Sequence, residues 1–224
     1  MRGSFITFEG GEGAGKSTQI ERLRRHLEGL GHRVLVTREP GGSPKAEAIR
    51  NVILSGKVKA RGPWVEALLF SAARIDHLDH RIRPSLDQGI NVLCDRFADS
   101  TRAYQGARDG VGMEQLKRLE KIVVGDTAPD LTFILDLPAE TGLARARKRQ
   151  EAAGEGADRF EAEDVAFHRS LREAFLAIAR EEPNRCVVID AADDPDRVED
   201  AIWRAIDERL PALVNPAGAR PHVA

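Results

Sequence analysis

The sequence predicts a three-layer α/β/α fold, a five-stranded parallel sheet covered by helices on both faces. Three observations carry that expectation. A glycine-rich loop joins a strand-like run to a helix-like one near the N-terminus. Five short runs rich in Val, Ile, Leu and Phe recur along the chain. Segments with helical spacing separate them, as the right-handed crossovers of a parallel sheet require.

Taken in order, Ser4–Glu9 is the first strand, and Lys16–Leu30 carries Ile20, Leu23, Leu27 and Leu30 at helical spacing. The second strand is expected over Arg33–Thr37, with helices over Pro44–Leu54 and Pro63–Arg83. Ile90–Asp95 is the third strand. A polar, aromatic-bearing run F-A-D-S-T-R-A-Y-Q-G follows it directly after Arg96, then a helix over Gly112–Val124. Leu131–Leu137 and Arg185–Asp190 complete the sheet, separated by helices over Ala139–Gln150 and Glu163–Glu181. A last helix is expected over Pro195–Leu210, ahead of a frayed tail at 215–224. No repeat or long linker divides residues 1–224, so one domain is expected.

Composition narrows the function classes. Hydrophobic residues make up 42% of the 224, enough for a core. Lys and Arg total 34 against 36 Asp and Glu, which argues against a chain-wide surface for nucleic acid. No apolar run approaches a membrane span, and no signal-peptide core stands at the N-terminus. Cys94 and Cys186 lie in strand-like runs and read as core residues. A cytoplasmic enzyme fits these features.

The chemistry starts at G-G-E-G-A-G-K-S, a full match to the G-x-x-x-x-G-K-[ST] phosphate loop. Strand, glycine turn and helix place the amides of Gly10, Gly11, Glu12, Gly13, Ala14, Gly15, Lys16, Ser17 and Thr18 around a triphosphate at a helix N-terminus. Lys16 then reaches the β- and γ-phosphates, and the Ser17 hydroxyl ligates Mg²⁺. The motif thus predicts a bound nucleoside triphosphate on a P-loop NTPase fold. A second strand-end carboxylate is needed to organise the metal. Asp95, Asp136 and Asp190 all end strands, and spacing does not choose among them. Asp95 is followed at once by Arg96, a pairing that sends one group toward a metal and the other toward a phosphate. Asp136 and Asp190 are open to serving as helix caps.

No N-K-x-D tetrapeptide occurs, which removes the guanine-reading switch proteins. The remaining small class hands the γ-phosphoryl group to a second small molecule and must exclude water. Such an enzyme needs several arginines, an acceptor pocket and a lid. Arg38, Arg50, Arg74 and Arg96 supply cations, and Phe70, Trp64 and Tyr104 supply stacking surfaces. Arg145, Arg147, Lys148 and Arg149 precede the small, Gly-containing segment Gln150–Asp158, as a phosphate-clamping lid over about 142–160 requires.

Over nearly its whole length the chain resembles the bacterial thymidylate kinase family of nucleoside monophosphate kinases. The matching stretches are Phe8–Thr18, T-R-E-P-G-G at Thr37–Gly42, L-L-F-S-A-A-R at Leu68–Arg74 and D-R-F-A-D-S-T-R-A-Y-Q-G at Asp95–Gly106. The turn Asp158-Arg159-Phe160-Glu161 adds a fifth. The resemblance implies transfer of the γ-phosphoryl of ATP to dTMP, giving dTDP and ADP. It implies that Arg96 holds the acceptor phosphate, near Glu39, Pro40 and Arg50. Phe70 is then the thymine platform and Arg74 the reader of its O4 edge. Ser100 and Gln105 contact the base, Tyr104 presses on the deoxyribose, and Glu9 meets the acceptor end or the metal. Glu12 stands where some relatives carry a basic residue, so the catalytic cation is expected from Arg145, Arg147 or, first, Arg149. The family tendency is a homodimer. Taken singly, Phe70 reads as core, Arg74 as a surface arginine, and His77 and His80 as solvent-facing. Two alternatives stay open: another nucleotide or nucleoside kinase, and a non-catalytic ATP-binding regulator.

Overall fold

The computed structural model describes residues 2–107, 111–154, 160 and 163–214. Its strands are β1 (Phe5–Glu9), β2 (Val34–Arg38), β3 (Asn91–Asp95), β4 (Leu131–Asp136) and β5 (Cys186–Asp190). They form one all-parallel sheet in the order β2-β3-β1-β4-β5. The five expected strands are present, each displaced by no more than a residue or so. Alternation sorts their side chains: Ile6 and Phe8 enter the core on one face of the sheet, and Phe5 enters the core on the other.

Helices α1 (Lys16–Gly29) and α9 (Pro195–Arg209) cover the first face, closed by the short α10 (Pro211–Val214). Ile20, Leu23 and Leu27 pack with Val198, Ile202 and Ile206 against Phe8, Phe133 and Leu135. The second face carries α2 (Pro44–Leu54), α3 (Pro63–His77), α4 (Arg83–Asp87), α5 (Ala98–Gly106), α6 (Met113–Val124) and α8 (Val165–Glu181). Helix α7 (Ala139–Ala153) follows β4, packs against α8 and meets the phosphate loop at Gly142.

Three elements differ from expectation. The helix expected over Pro63–Arg83 is α3 and α4 joined by a π-turn at Leu78–Ile82. Pro84 cannot donate to the carbonyl four residues back, and the ladder widens there. The run after Arg96 is helical, because Ala98, Thr101, Ala103 and Tyr104 form a buried face that outweighs its polar composition. Helix α7 continues through Ala153 and stops at Gly154 in the left-handed conformation, so the first four residues of the expected loop are helical. The rest of that loop, Asp158-Arg159, Glu161 and the tail 215–224 lie outside the described residues. Among the described residues no helix is long and apolar enough to cross a membrane.

Candidate active site

Strand β1 is flanked by β3 and β4, so the chain leaves it at the switch point of the sheet, where open α/β folds bind ligands. The loop turns on Gly10, Gly13 and Gly15, all at positive φ. A side chain at Gly10 would meet the Leu135 carbonyl at 2.5 Å. Lys16 opens α1 and is buried. Its Nζ donates to the Gly10 and Gly11 carbonyls at 3.2 and 2.9 Å. Burial and the nearby Arg96 lower its pKa, against the pull of Asp95 and Glu12.

Of the three strand-end aspartates, Asp95 faces the loop: it accepts from Ser17 Oγ at 2.9 Å. Asp136 caps no helix and pairs with Arg172 at 2.6 and 2.8 Å. Asp190 accepts from the Ala192 amide, while α9 is capped by Asp194.

Arg96 takes a left-handed backbone, φ 66°, uncommon away from glycine and costing about 1–3 kcal/mol. That turn brings its guanidinium to the Gly10 carbonyl at 3.0 Å, Ser100 Oγ at 3.3 Å and Glu12 Oε1 at 2.7 Å. It lies over the Tyr104 ring, 5.0 Å from the centroid, and the Tyr104 hydroxyl also donates to Glu12. Burial works to raise the Glu12 carboxyl, but Arg96, Lys16 and Tyr104 outweigh it and hold it down at about 2. Glu9 is fully buried and accepts from the Phe97 and Ser100 amides and from Ser100 Oγ at 2.6 Å. Burial and then Asp99 push its carboxyl up to about 7.

Two cavities open beside these groups. The larger, about 450 Å³, is lined by Glu12–Thr18 of the loop, Arg38, Asp95 and Arg149. The smaller, about 100 Å³, is lined by Phe70, Arg74, Ser100, Tyr104 and Gln105, with Pro40, Leu54 and Phe160. Glu12, Glu39, Arg50 and Arg96 border both. Arg50 Nη1 donates to the Pro40 carbonyl at 2.8 Å. Gln105 is buried with Nε2 on Glu66 and Oε1 without a partner, an acceptor at the cavity wall. Trp64, offered as a stacking surface, is half-exposed on α3 and lines neither cavity.

Arg74 is no surface residue. It is 3% exposed; Nε donates to Glu39 at 2.7 Å and Nη2 to Phe97 O and Thr101 Oγ1. His77, expected in solvent, is fully buried between Glu39 and Thr37, at 3.0 and 2.8 Å. Its position on α3 one turn after Arg74 could have revealed it: i, i+3 spacing puts the two on one face. His80 is exposed, as expected. Phe160 is the wall that residue-by-residue reading missed, its ring edge-on to Tyr104 at 5.2 Å. Of the three α7 arginines, Arg149 lines the larger of these two cavities and the other two line neither. Arg145 donates to the Ala191 carbonyl at 3.0 Å, and Arg147 is exposed.

The chain matches the model of the thymidylate kinase family over residues 8–202. The chain belongs to the thymidylate kinase family. Among curated relatives, thymidylate kinase of Bradyrhizobium diazoefficiens is 56% identical over 96% of this chain and 93% of its own. That of Rhodopseudomonas palustris strain CGA009 is 57% identical, over 94% and 91%. The crystal structure of thymidylate kinase from Ehrlichia chaffeensis matches with a TM-score of 0.72 at 32% identity, covering 92% of this chain and 99% of that one. As a thymidylate kinase family enzyme, the chain phosphorylates dTMP with ATP as donor, a step of dTTP synthesis.

Proposed function

We propose that the larger cavity receives the ATP triphosphate, the smaller one the thymidine of dTMP, and that Arg96 holds the acceptor phosphate between them. The observation that carries this reading is the shared border of Glu12, Glu39, Arg50 and Arg96, where two phosphate chains would meet end to end. Lys16 and the loop amides bind the donor phosphates. Phe70 stacks on the base, Arg74 reads its O4 edge through Nη1, and Ser100 and Gln105 complete the polar contacts. Tyr104 packs on the sugar and leaves no room for a 2′-hydroxyl. Glu9 braces the backbone of Phe97 and Ser100 beneath the acceptor phosphate. A phosphate dianion is already a nucleophile, so charge neutralisation and alignment supply the rate. A coupled ADP-release assay with dTMP, dUMP, UMP, CMP, AMP and thymidine tests it. Turnover should be fastest with dTMP and weak with ribonucleotides; ADP release indifferent to the acceptor would overturn the assignment.

Ser17 Oγ and Asp95 Oδ2 form a hard oxygen pair at the end of the loop, the donor set Mg²⁺ prefers. When bound there, Mg²⁺ neutralises phosphate charge. We assign the lid to about 142–160, with Arg149 as its first catalytic candidate and Arg145 and Arg147 beside it. The enzyme acts in the cytoplasm in this reading, which its two free, buried cysteines support.

A further inference from the structure

Helix α7 touches the phosphate loop through two glycines. A Cβ at Gly142 would stand 2.3 Å from the Glu12 carbonyl oxygen, and a Cβ at Gly13 would stand 2.1 Å from the Gly142 carbonyl oxygen. Neither position can carry a side chain without moving backbone. Gly13 has φ 66° and needs glycine in any case. Gly142 does not: it lies inside a regular α-helix, where alanine is about 0.8–1 kcal/mol better. Close approach to the loop is therefore what glycine at this position permits.

The contact also fixes how the helix is rolled. Gly142, Arg145, Ala146 and Arg149 are spaced i, i+3, i+4 and i+7, so they share one face. Ala146 is buried on it, and Arg145 reaches the Ala191 carbonyl. Two turns along from Gly142, about 10 Å at 1.5 Å per residue, Arg149 reaches the phosphate cavity. We infer that Gly142 is a positioning residue: by seating α7 on the Glu12–Gly13 backbone it aims Arg149 at the transferring phosphoryl group. This rests on the reading of the larger cavity as the triphosphate site.

The test uses the full-length enzyme and three variants, G142A, R149A and the double variant. G142A should lower kcat about tenfold or more, since a displacement of an ångström at a reacting group costs up to about 10²-fold. Its KM for dTMP should change less than twofold, and its Tm should not fall by more than a few degrees. The double variant should be no slower than R149A, because the loss at Gly142 acts through Arg149. Wild-type kcat in G142A, with R149A impaired, overturns the inference and leaves the site reading intact. Wild-type kcat in R149A overturns the site reading itself. Should G142A not fold, K148R/R149A decides. It moves the arginine by about 100° around an exposed surface, so it should stay as slow as R149A. Recovery of kcat would mean that α7 rolls freely on the loop and that Gly142 sets nothing.

Discussion

Arg74 and its partners show why single side chains in this pocket carry two duties. The guanidinium spends Nε and Nη2 on Glu39, Phe97 and Thr101, and none of these bonds uses Nη1. Removing the side chain would take the cation from Glu39 Oε2 and leave the buried carboxyl only its contact with His77, and breaking a buried pair costs about 3–5 kcal/mol. Arg74→Ala should therefore lower Tm as well as raise the KM for dTMP, and Arg74→Lys is the cleaner probe. It keeps a cation beside Glu39 but loses the fork, so the KM for dTMP should rise about tenfold, one unmet hydrogen bond in a closed pocket, with the KM for ATP unchanged. Equal rises for both substrates would make Arg74 a purely structural residue. The sequence placed Arg74 in the site by motif. It did not reveal the burial, because Glu39, which joins Arg74 and His77, comes from the turn after β2 and meets α3 only in the folded chain.

Glu9 is the second residue with a measurable consequence. Its carboxyl titrates near 7 in the folded chain against an ordinary value of 4.5, burial being the largest cause and Asp99 the next. The folded state then binds the proton more tightly than the unfolded one. Stability from this group is fully present below about 4.5 and is lost as pH rises through about 7. Glu120, pushed up to about 7 by burial and Asp99, acts in the same window. Glu9→Gln, neutral at every pH, should flatten the fall in unfolding free energy between pH 5 and 7 relative to wild type. Urea denaturation at three pH values measures it, and identical slopes for the two proteins would rule it out.

At the scale of elements, what was legible depended on whether a signal was local. The phosphate loop, the five strands and their order of helices rest on short-range pattern, and they stand where the pattern put them. Helix α5 was read as a polar run because its buried face meets α6 and α8, which no local periodicity announces. The break at Leu78–Ile82 had a local cue in Pro84, masked by apolar spacing that continues across it. On α7 the cluster of arginines was visible, but its roll was not. That roll gives a sharp expectation for rate. Arg149→Ala should lower kcat by about 10²-fold or more, the scale of an arginine that meets a transferring phosphoryl group only in the closed state. Arg147→Ala should be near wild type, and Arg145→Ala should act mainly on ATP affinity, since Arg145 holds the Ala191 carbonyl instead. Steady-state kcat and KM for the three variants check it; equal kcat in all three would place the cation elsewhere.

For the whole molecule, the distribution of exposed apolar side chains is uneven in a way the fold explains. One face of the sheet is sealed by α1 and α9, where few large apolar groups remain in solvent. On the other, Val52 of α2, Trp64, Leu68 and Ile75 of α3, and Met113 and Ile122 of α6 all reach solvent, Ile122 at 80%. Helix α3 packs against both α2 and α6, and Trp64, Leu68 and Ile75 share one face of it by i, i+4 and i+11 spacing, with Val52 and Ile122 exposed on the helices to either side. Met113 lies on the opposite side of α6 from Ile122, against Gly106. An apolar surface of this kind is a protein–protein contact more often than a solvated face, and a two-fold axis lets one patch cover itself. We propose that it is the interface of a homodimer. Because α3 and α2 carry Arg74, Phe70 and Arg50 on their opposite sides, the same contact would stiffen the acceptor pocket from behind. Ile122→Glu places a charge at the most exposed point without touching the cavity. The wild-type chain should sediment as a dimer and Ile122→Glu as a monomer, with a raised KM for dTMP in the monomer. A wild-type chain that stays monomeric at micromolar concentration would sink the proposal, and a dimer indifferent to the charge would place the interface on another face.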